Sequence, residues 1–131
     1  MRKLGTVLGA AALAGIPALA QQVPNETYRA DGVQITVHLH SFLSEEGLAM
    51  LRLVGQNRDA LSLFVPEGAR FAAMALAPSD GLVADGVLAD SAVAVADLPD
   101  LSSARAAALD GCNAAKGRGP DCVIALDIQP E

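Results

Sequence analysis

The stretch that decides the fold lies late in the chain. It reads Arg105-Ala-Ala-Ala-Leu-Asp-Gly-Cys112, then a short glycine-containing linker, then Cys122-Val-Ile-Ala-Leu-Asp-Ile128. The alanine-rich part is typical of a helix, and the apolar run after the linker is typical of a buried strand. A disulfide between Cys112 and Cys122 would pin this helix to the sheet. It would close a ring of 11 residues, for which chain entropy predicts a stabilisation of about 3 kcal/mol.

The alternative interpretation of the two cysteines is a redox or metal-binding pair. They are not spaced Cys-x-x-Cys, and no second pair of cysteine or histidine ligands lies close to them in the sequence. A thioredoxin-like role therefore lacks its motif, and a closed zinc site lacks its ligands. We expect a structural disulfide, Cys112 to Cys122.

Residues 1–20 have the three parts of a secretory signal peptide. Met1-Arg2-Lys3 is positive, Leu4 to Ile16 is uncharged and apolar, and Pro17-Ala18-Leu19-Ala20 ends in an Ala-x-Ala cleavage site. The apolar run is shorter than the roughly 20 residues that span a bilayer. We therefore expect a mature protein that starts near Gln21, is periplasmic or secreted, and has no membrane insertion after signal cleavage.

The mature chain is small and acidic. Residues 21–131 are 111 residues, enough for one domain with its own core. Without Arg2 and Lys3 the chain keeps seven Lys and Arg against fifteen Asp and Glu, a formal net charge of −8. Such a surface repels phosphate backbones, which argues against nucleic acid as a partner. We expect a flexible lead-in over residues 21–31 and a single α/β domain over residues 32–131.

Hydrophobic patterning predicts the elements of this domain. Alternation of apolar and polar residues predicts a strand from Val33 to Leu39, and Ser44 with two following glutamates predicts the start of a helix. The further predicted elements are strands at Ala60–Val65, Phe71–Ala77 and Ser91–Ala96, a helix opened by Pro99-Asp100, and a strand at Cys122–Ile128. The order β-α-β-β-β-α-β predicts an α+β fold, with helices on one face of a five-stranded sheet and one helix-to-strand disulfide.

The second half of the chain resembles small exported bacterial proteins of unknown function. The resemblance rests on the apolar strand Phe71 to Ala77 with its following turn, on Ala106-Ala107-Ala108-Leu109 leading to Cys112, and on Cys122-Val123-Ile124. It covers roughly residues 70–130. It implies the same pattern of helix, strand and disulfide, and it implies no activity.

Some similar short exported proteins carry the label 5-aminolevulinate synthase, and we do not expect the label to imply that activity. This chain does not resemble the enzyme of that name, which is a large two-domain protein in which a lysine forms a Schiff base with pyridoxal phosphate. Residues 21–131 contain one lysine, Lys116, in the linker between the cysteines. A member of the labelled group without intrinsic pyridoxal-phosphate chemistry is an alternative, and no cofactor is expected.

The candidate metal ligands are His38 and His40. They share one face of a predicted strand about 6.5–7 Å apart, a spacing that His-x-His metal sites use when a third ligand arrives from elsewhere. The other interpretation is two solvated histidines on a polar face. Asp80, Asp85 and Asp90 invite a calcium interpretation, but their spacing does not match the Ca²⁺ loop pattern, and Asp-Gly turns explain them.

No catalytic residue is predicted. The sequence lacks Gly-x-Ser-x-Gly, a recognisable Cys-His pairing, and paired carboxylates in a catalytic pattern. The glycine-rich loop around Lys116 follows a helix C-terminus, whose dipole repels anions. We therefore expect a non-catalytic protein that binds an unknown protein or small ligand in the periplasm. The alternative is a metal- or small-ligand-binding protein that uses the face carrying His38 and His40.

Overall fold

The computed structural model describes residues 23–30, 32–64 and 70–131. The predicted signal peptide lies outside these residues. The strands are β1 (Asn25–Ala30), β2 (Val33–His38), β3 (Phe71–Leu76), β4 (Val83–Ala84), β5 (Val87–Leu88), β6 (Val93–Leu98) and β7 (Val123–Pro130). The helices are α1 (Glu45–Gln56), α2 (Arg58–Phe64) and α3 (Leu101–Ala115). None of the described helices is both long and apolar enough to cross a membrane.

Five of the strands form one antiparallel sheet in the order β1-β2-β7-β3-β6. The predicted α+β class, the single domain and the five-stranded sheet are confirmed. The last strand in the chain, β7, lies in the middle, between β2 and β3. It therefore connects the two halves of the sheet.

Strand β3 is covered on both faces, as its continuous apolar sequence predicts. On one side Ala72, Met74 and Leu76 pack into a core with Leu51 of α1 and Leu61 of α2. On the other side the alternate residues Ala73, Ala75 and Ala77 pack against α3 through Ala104, Ala108 and Cys112. Helices α1 and α3 therefore lie on opposite faces of the sheet, and the prediction that the helices share one face is wrong.

The disulfide joins α3 to the chain that enters β7, as predicted. Cys112 lies near the end of α3, Cys122 immediately precedes β7, and their Cα atoms are 6.1 Å apart. Both cysteines are buried in the alanine-rich core between α3 and the sheet. Small alanine side chains on both surfaces let the helix approach the sheet closely, which brings the two sulfur atoms together.

Both long helices begin at side chains that accept a hydrogen bond from their first turn. The predicted cap is confirmed at Ser44, whose Oγ accepts from the Gly47 N–H at 3.0 Å. The Asp100 carboxylate accepts from the Ser103 N–H at 2.7 Å at the start of α3. These contacts satisfy backbone donors that have no partner inside a helix.

Two predicted elements are wrong. The strand expected at Ala60–Val65 is instead part of α2, and Val65 lies outside the described residues. Asn57 decides this, because its side-chain oxygen accepts from the N–H groups of Asp59 and Ala60 at 2.9 and 3.1 Å and so begins a helix. A short apolar run does not by itself distinguish a helix from a strand.

The lead-in expected over residues 21–31 is also wrong for its central part. Residues 25–30 form β1, which pairs with β2 from Asn25 opposite His38 to Ala30 opposite Val33. Two residues separate the strands, and the second of them, Gly32, has a φ of 79°. Asp31-Gly32 is therefore the hairpin signal in the sequence.

The predicted Asp-Gly turns are present. Strands β4 and β5 form a small separate hairpin, and Asp85-Gly86 between them have φ values of 55° and 77°. Positive φ at both central residues is the signature of a type I′ turn, which Asp-Gly favours. The prediction of turn chemistry at these aspartates is confirmed.

Candidate functional site

Half of one sheet face carries polar side chains and lies beside α3. Helix α3 packs on β3, β6 and β7. The opposite side of the sheet faces the α1 core and carries Ile35, Val37, Leu126 and Ile128. Successive strand residues point to opposite faces, so their neighbours point toward the α3 side. We call these side chains the open polar face: Asn25, Thr27, Arg29, Gln34, Thr36, His38, Asp127 and Gln129.

The register of the strands arranges these side chains in rows. Thr27 lies opposite Thr36, which lies opposite Asp127. A second row is formed by Arg29, Gln34 and Gln129, and Asn25 lies opposite His38. Directly opposite side chains on one face are about 5 Å apart. The open polar face is therefore a regular array of hydrogen-bonding groups without an aliphatic side chain.

Asp127 is the buried anchor of this face, with 3% of its surface exposed. Arg105 of α3 donates to both carboxylate oxygens, from Nε at 3.0 Å and from an Nη nitrogen at 2.7 Å. His38 Nε2 lies 2.8 Å from the same carboxylate. Burial raises the pKa of Asp127, but the hydrogen bonds from His38 and Arg105 outweigh it and hold the pKa below its usual range. The carboxylate is therefore ionised at neutral pH.

The ionised carboxylate fixes the protonation of the nitrogen that contacts it. A carboxylate only accepts hydrogen bonds, so His38 Nε2 carries a proton. When the ring is neutral, Nδ1 is then the nitrogen with the free lone pair. The hydrogen bond to Asp127 also raises the pKa of the Arg105 guanidinium, although burial partly opposes this. Arg105 and His38 are thus held in fixed positions at the rim of the face.

The structure brings His38 and His40 together at this rim. Their ring centroids are 6.3 Å apart. His40 Nε2 donates to the carbonyl oxygen of Ile124 at 2.8 Å, and the His40 ring stacks on Phe42 with a centroid distance of 5.3 Å. Each histidine therefore uses Nε2 in a hydrogen bond within the fold, and in the neutral ring Nδ1 then carries the free lone pair.

Among residues 23–30, 32–64 and 70–131, no group of three or more His, Cys, Asp or Glu side chains is placed to hold a metal ion. The aspartates considered for calcium are used elsewhere, since Asp80 accepts from the Ser91 hydroxyl at 2.6 Å and Asp85 forms the tight turn. Lys116 donates to the carbonyl oxygen of Gly119 at 3.2 Å and so closes its own loop.

Asp127 and Arg105 are site residues that were not predicted from the sequence. The available signal was Asp127 itself, because an acidic residue inside the apolar run Ala125-Leu126-Asp127-Ile128 needs a partner when it is buried. Its partner cannot be chosen from the sequence, because Arg105 reaches it only through the packing of α3 on the sheet.

Comparisons with known proteins add no family. The chain matches no protein-family model, and neither the curated proteins nor the solved structures give a match.

Proposed function

We propose that this protein is a non-catalytic binding domain of the periplasm or the extracellular space, and that it holds a polar ligand or a segment of a partner protein on the open polar face. The observation that carries the proposal is the array of exposed and half-buried polar side chains beside a buried Asp127 that Arg105 and His38 hold in place. The signal-peptide pattern and the disulfide support the compartment, because disulfides persist where the environment is oxidising.

The chemistry of the face favours a ligand with both donors and acceptors. Threonine hydroxyls and the amides of asparagine and glutamine offer both kinds of group. The charge of Asp127 is compensated by Arg105, and Arg29 pairs with Glu131 at 2.6 Å. The face is therefore close to neutral although the mature chain is strongly acidic. A polar peptide segment or a small polar molecule suits it better than a highly charged ligand.

The cysteines and histidines of the described region contribute to the fold. Both cysteines are in the disulfide, and His38 and His40 each give Nε2 to a hydrogen bond. This arrangement positions groups rigidly, which suits recognition because a preorganised site loses little entropy when a ligand binds.

Native mass spectrometry of the protein purified from its own source tests the proposal. We expect a mass excess from a retained small ligand, or a co-purified partner, with the wild-type chain. Thr36→Leu places an aliphatic side chain in the middle of the array and should abolish retention, whereas Ser62→Ala, at an exposed position of α2, should not. A wild-type chain that carries neither ligand nor partner, or equal retention by Thr36→Leu, would overturn the proposal.

Metal or small-ligand binding through His38 and His40 is the second candidate, and the observation that favours it is the 6.3 Å distance between the two rings. Both Nδ1 atoms would coordinate, with further ligands from the bound molecule or solvent. Calorimetric titration with Cu²⁺ or Zn²⁺ tests it. Binding by the wild type that is lost in His38→Ala would support this candidate, and the absence of heat with the wild type would exclude it.

A further inference from the structure

The outer edge of β1 is a regular set of backbone donors and acceptors. The Leu39 N–H donates to the Pro24 carbonyl oxygen at 2.8 Å, so the carbonyl group of Pro24 points toward β2. Backbone groups alternate in direction along an antiparallel strand. The N–H and C=O groups of Asn25, Thr27 and Arg29 therefore point away from the sheet. No strand within the described residues pairs with this edge.

The other edge of the sheet differs. Strand β6 pairs with β3 with a shift in register between Phe71 and Ala73, and Asp97 within β6 has a φ of 63°. Such irregularities twist an edge and discourage pairing with another chain. Strand β1 pairs with β2 in unbroken register over six residues and contains no residue with positive φ. Of the two edges, β1 is the one with the geometry of a strand-pairing template.

We propose that two copies of this chain associate through β1, antiparallel to each other, and so form a continuous ten-stranded sheet. In the register that uses every outward group, Thr27 lies on the two-fold axis and Asn25 lies opposite Arg29 of the second copy. Each copy offers two groups from each of these three residues. All of them are then satisfied in six hydrogen bonds across the axis.

The side chains agree with this register. Around the axis Glu26 lies beside Tyr28 of the second copy, and Arg29 lies beside Asn25 of the second copy. No like charges face each other. A shift that pairs Glu26 with Glu26 would place two carboxylates opposite each other, which is destabilising. A shift by one residue would move side chains to the wrong face of the joined sheet.

Helix α1 lies near the same axis. Arg52 binds the Glu26 carboxylate with distances of 2.8 Å, and Gly55 lies against the Tyr28 ring. The helix therefore runs alongside β1, and the turn between these contacts lies level with Thr27. That turn carries Leu53, which is 50% exposed and shares a shallow surface groove with Arg52.

The association can be measured by sedimentation equilibrium. The sample is the chain purified after expression of the full-length protein. We expect twice the monomer mass at high protein concentration. Added salt should strengthen the association, because it screens the repulsion between two acidic copies. Thr27→Pro removes an outward N–H that no described strand uses, and it is expected to give a monomer, whereas Thr27→Val keeps the N–H and should still dimerise.

A cross-link keeps the test decisive if Thr27→Pro fails to fold. Residues opposite each other in a hydrogen-bonded antiparallel pair have Cα atoms about 5.5 Å apart, which is within the range of a disulfide. Thr27→Cys should therefore oxidise to a covalent dimer that keeps the Cys112–Cys122 bond. Ser62→Cys, on the exposed surface of α2, should not. A wild-type monomer at every concentration, or equal cross-linking of the two cysteine variants, would overturn the proposal.

Discussion

The Asp127→Asn substitution tests how the fold holds its buried carboxylate. Asp127 accepts three hydrogen bonds from Arg105 and His38, and its side chain is 4% exposed. A hydrogen bond to a charged group contributes about 1.5–3 kcal/mol, and breaking a fully buried ion pair costs about 3–5 kcal/mol. The Arg105 side chain is 46% exposed and can return to water. We therefore expect the lower range, a loss of about 1.5–3 kcal/mol in the free energy of unfolding at pH 7.

The pH dependence gives the prediction a second readout. The pKa of Asp127 is lower in the folded chain than in the unfolded chain, so the carboxylate stabilises the fold above the unfolded pKa of about 3.9. This contribution is lost as the pH falls through the folded pKa, because protonation removes the charge that Arg105 and His38 bind. The difference in stability between wild type and Asp127→Asn should therefore be largest near neutral pH and should shrink below about pH 4.

Urea unfolding followed by far-ultraviolet circular dichroism measures both effects, since the chain contains no tryptophan for fluorescence. Asp121→Asn is the matched control, because it is the same substitution at an exposed position and should change stability by less than about 0.5 kcal/mol. Two results would refute the reasoning. One is an Asp127→Asn protein as stable as the control variant at pH 7, and the other is a difference that does not shrink in acid.

Three further predictions concern the packing of the helices. Replacing both Cys112 and Cys122 by alanine should lower the free energy of unfolding by about 3 kcal/mol, and the wild type treated with a reductant should approach the same value in urea unfolding. Gly55→Ala would place a Cβ 2.6 Å from the Tyr28 ring, so we expect a loss of about 1–2 kcal/mol despite the better helix propensity of alanine. Gly117→Ala, which meets nothing within 4 Å, is its control, and a Gly55→Ala chain at least as stable as wild type would contradict the packing. Ser44→Ala removes the cap of α1 and should lower the thermal midpoint by an amount equivalent to about 1 kcal/mol, whereas Ser62→Ala should leave it unchanged within error.

Much of the architecture follows from local sequence signals. The alternation in β2, the unbroken apolar run in β3 and the cap at Ser44 each report a single element, and the structure confirms each of them. The cysteine pair predicted the link between α3 and β7 because its two ends lie close together in sequence. These features depend on neighbours along the chain, which a single sequence contains.

The features that could not be predicted depend on contacts between distant segments. The sequence signal that α3 and α1 lie on opposite faces is the set of alternate alanines in β3. Alanine is small and common, so its pattern does not predict which face of a strand a helix covers. Arg105 and Asp127 meet because α3 packs on β7. The misassigned stretches were short, and their deciding signals were single residues, Asn57 before α2 and Gly32 after β1.

The position of β7 has a consequence for when the chain can fold. This strand follows every other element in sequence, yet it lies in the middle of the sheet and joins β2 to β3. Before residues 123–130 are available, the β1–β2 hairpin and the β3–β6 pair share no hydrogen bonds with each other. The usual order, in which earlier segments fold while later ones are still being made, therefore cannot complete this sheet. The two halves of the sheet therefore stay unjoined until the final strand arrives.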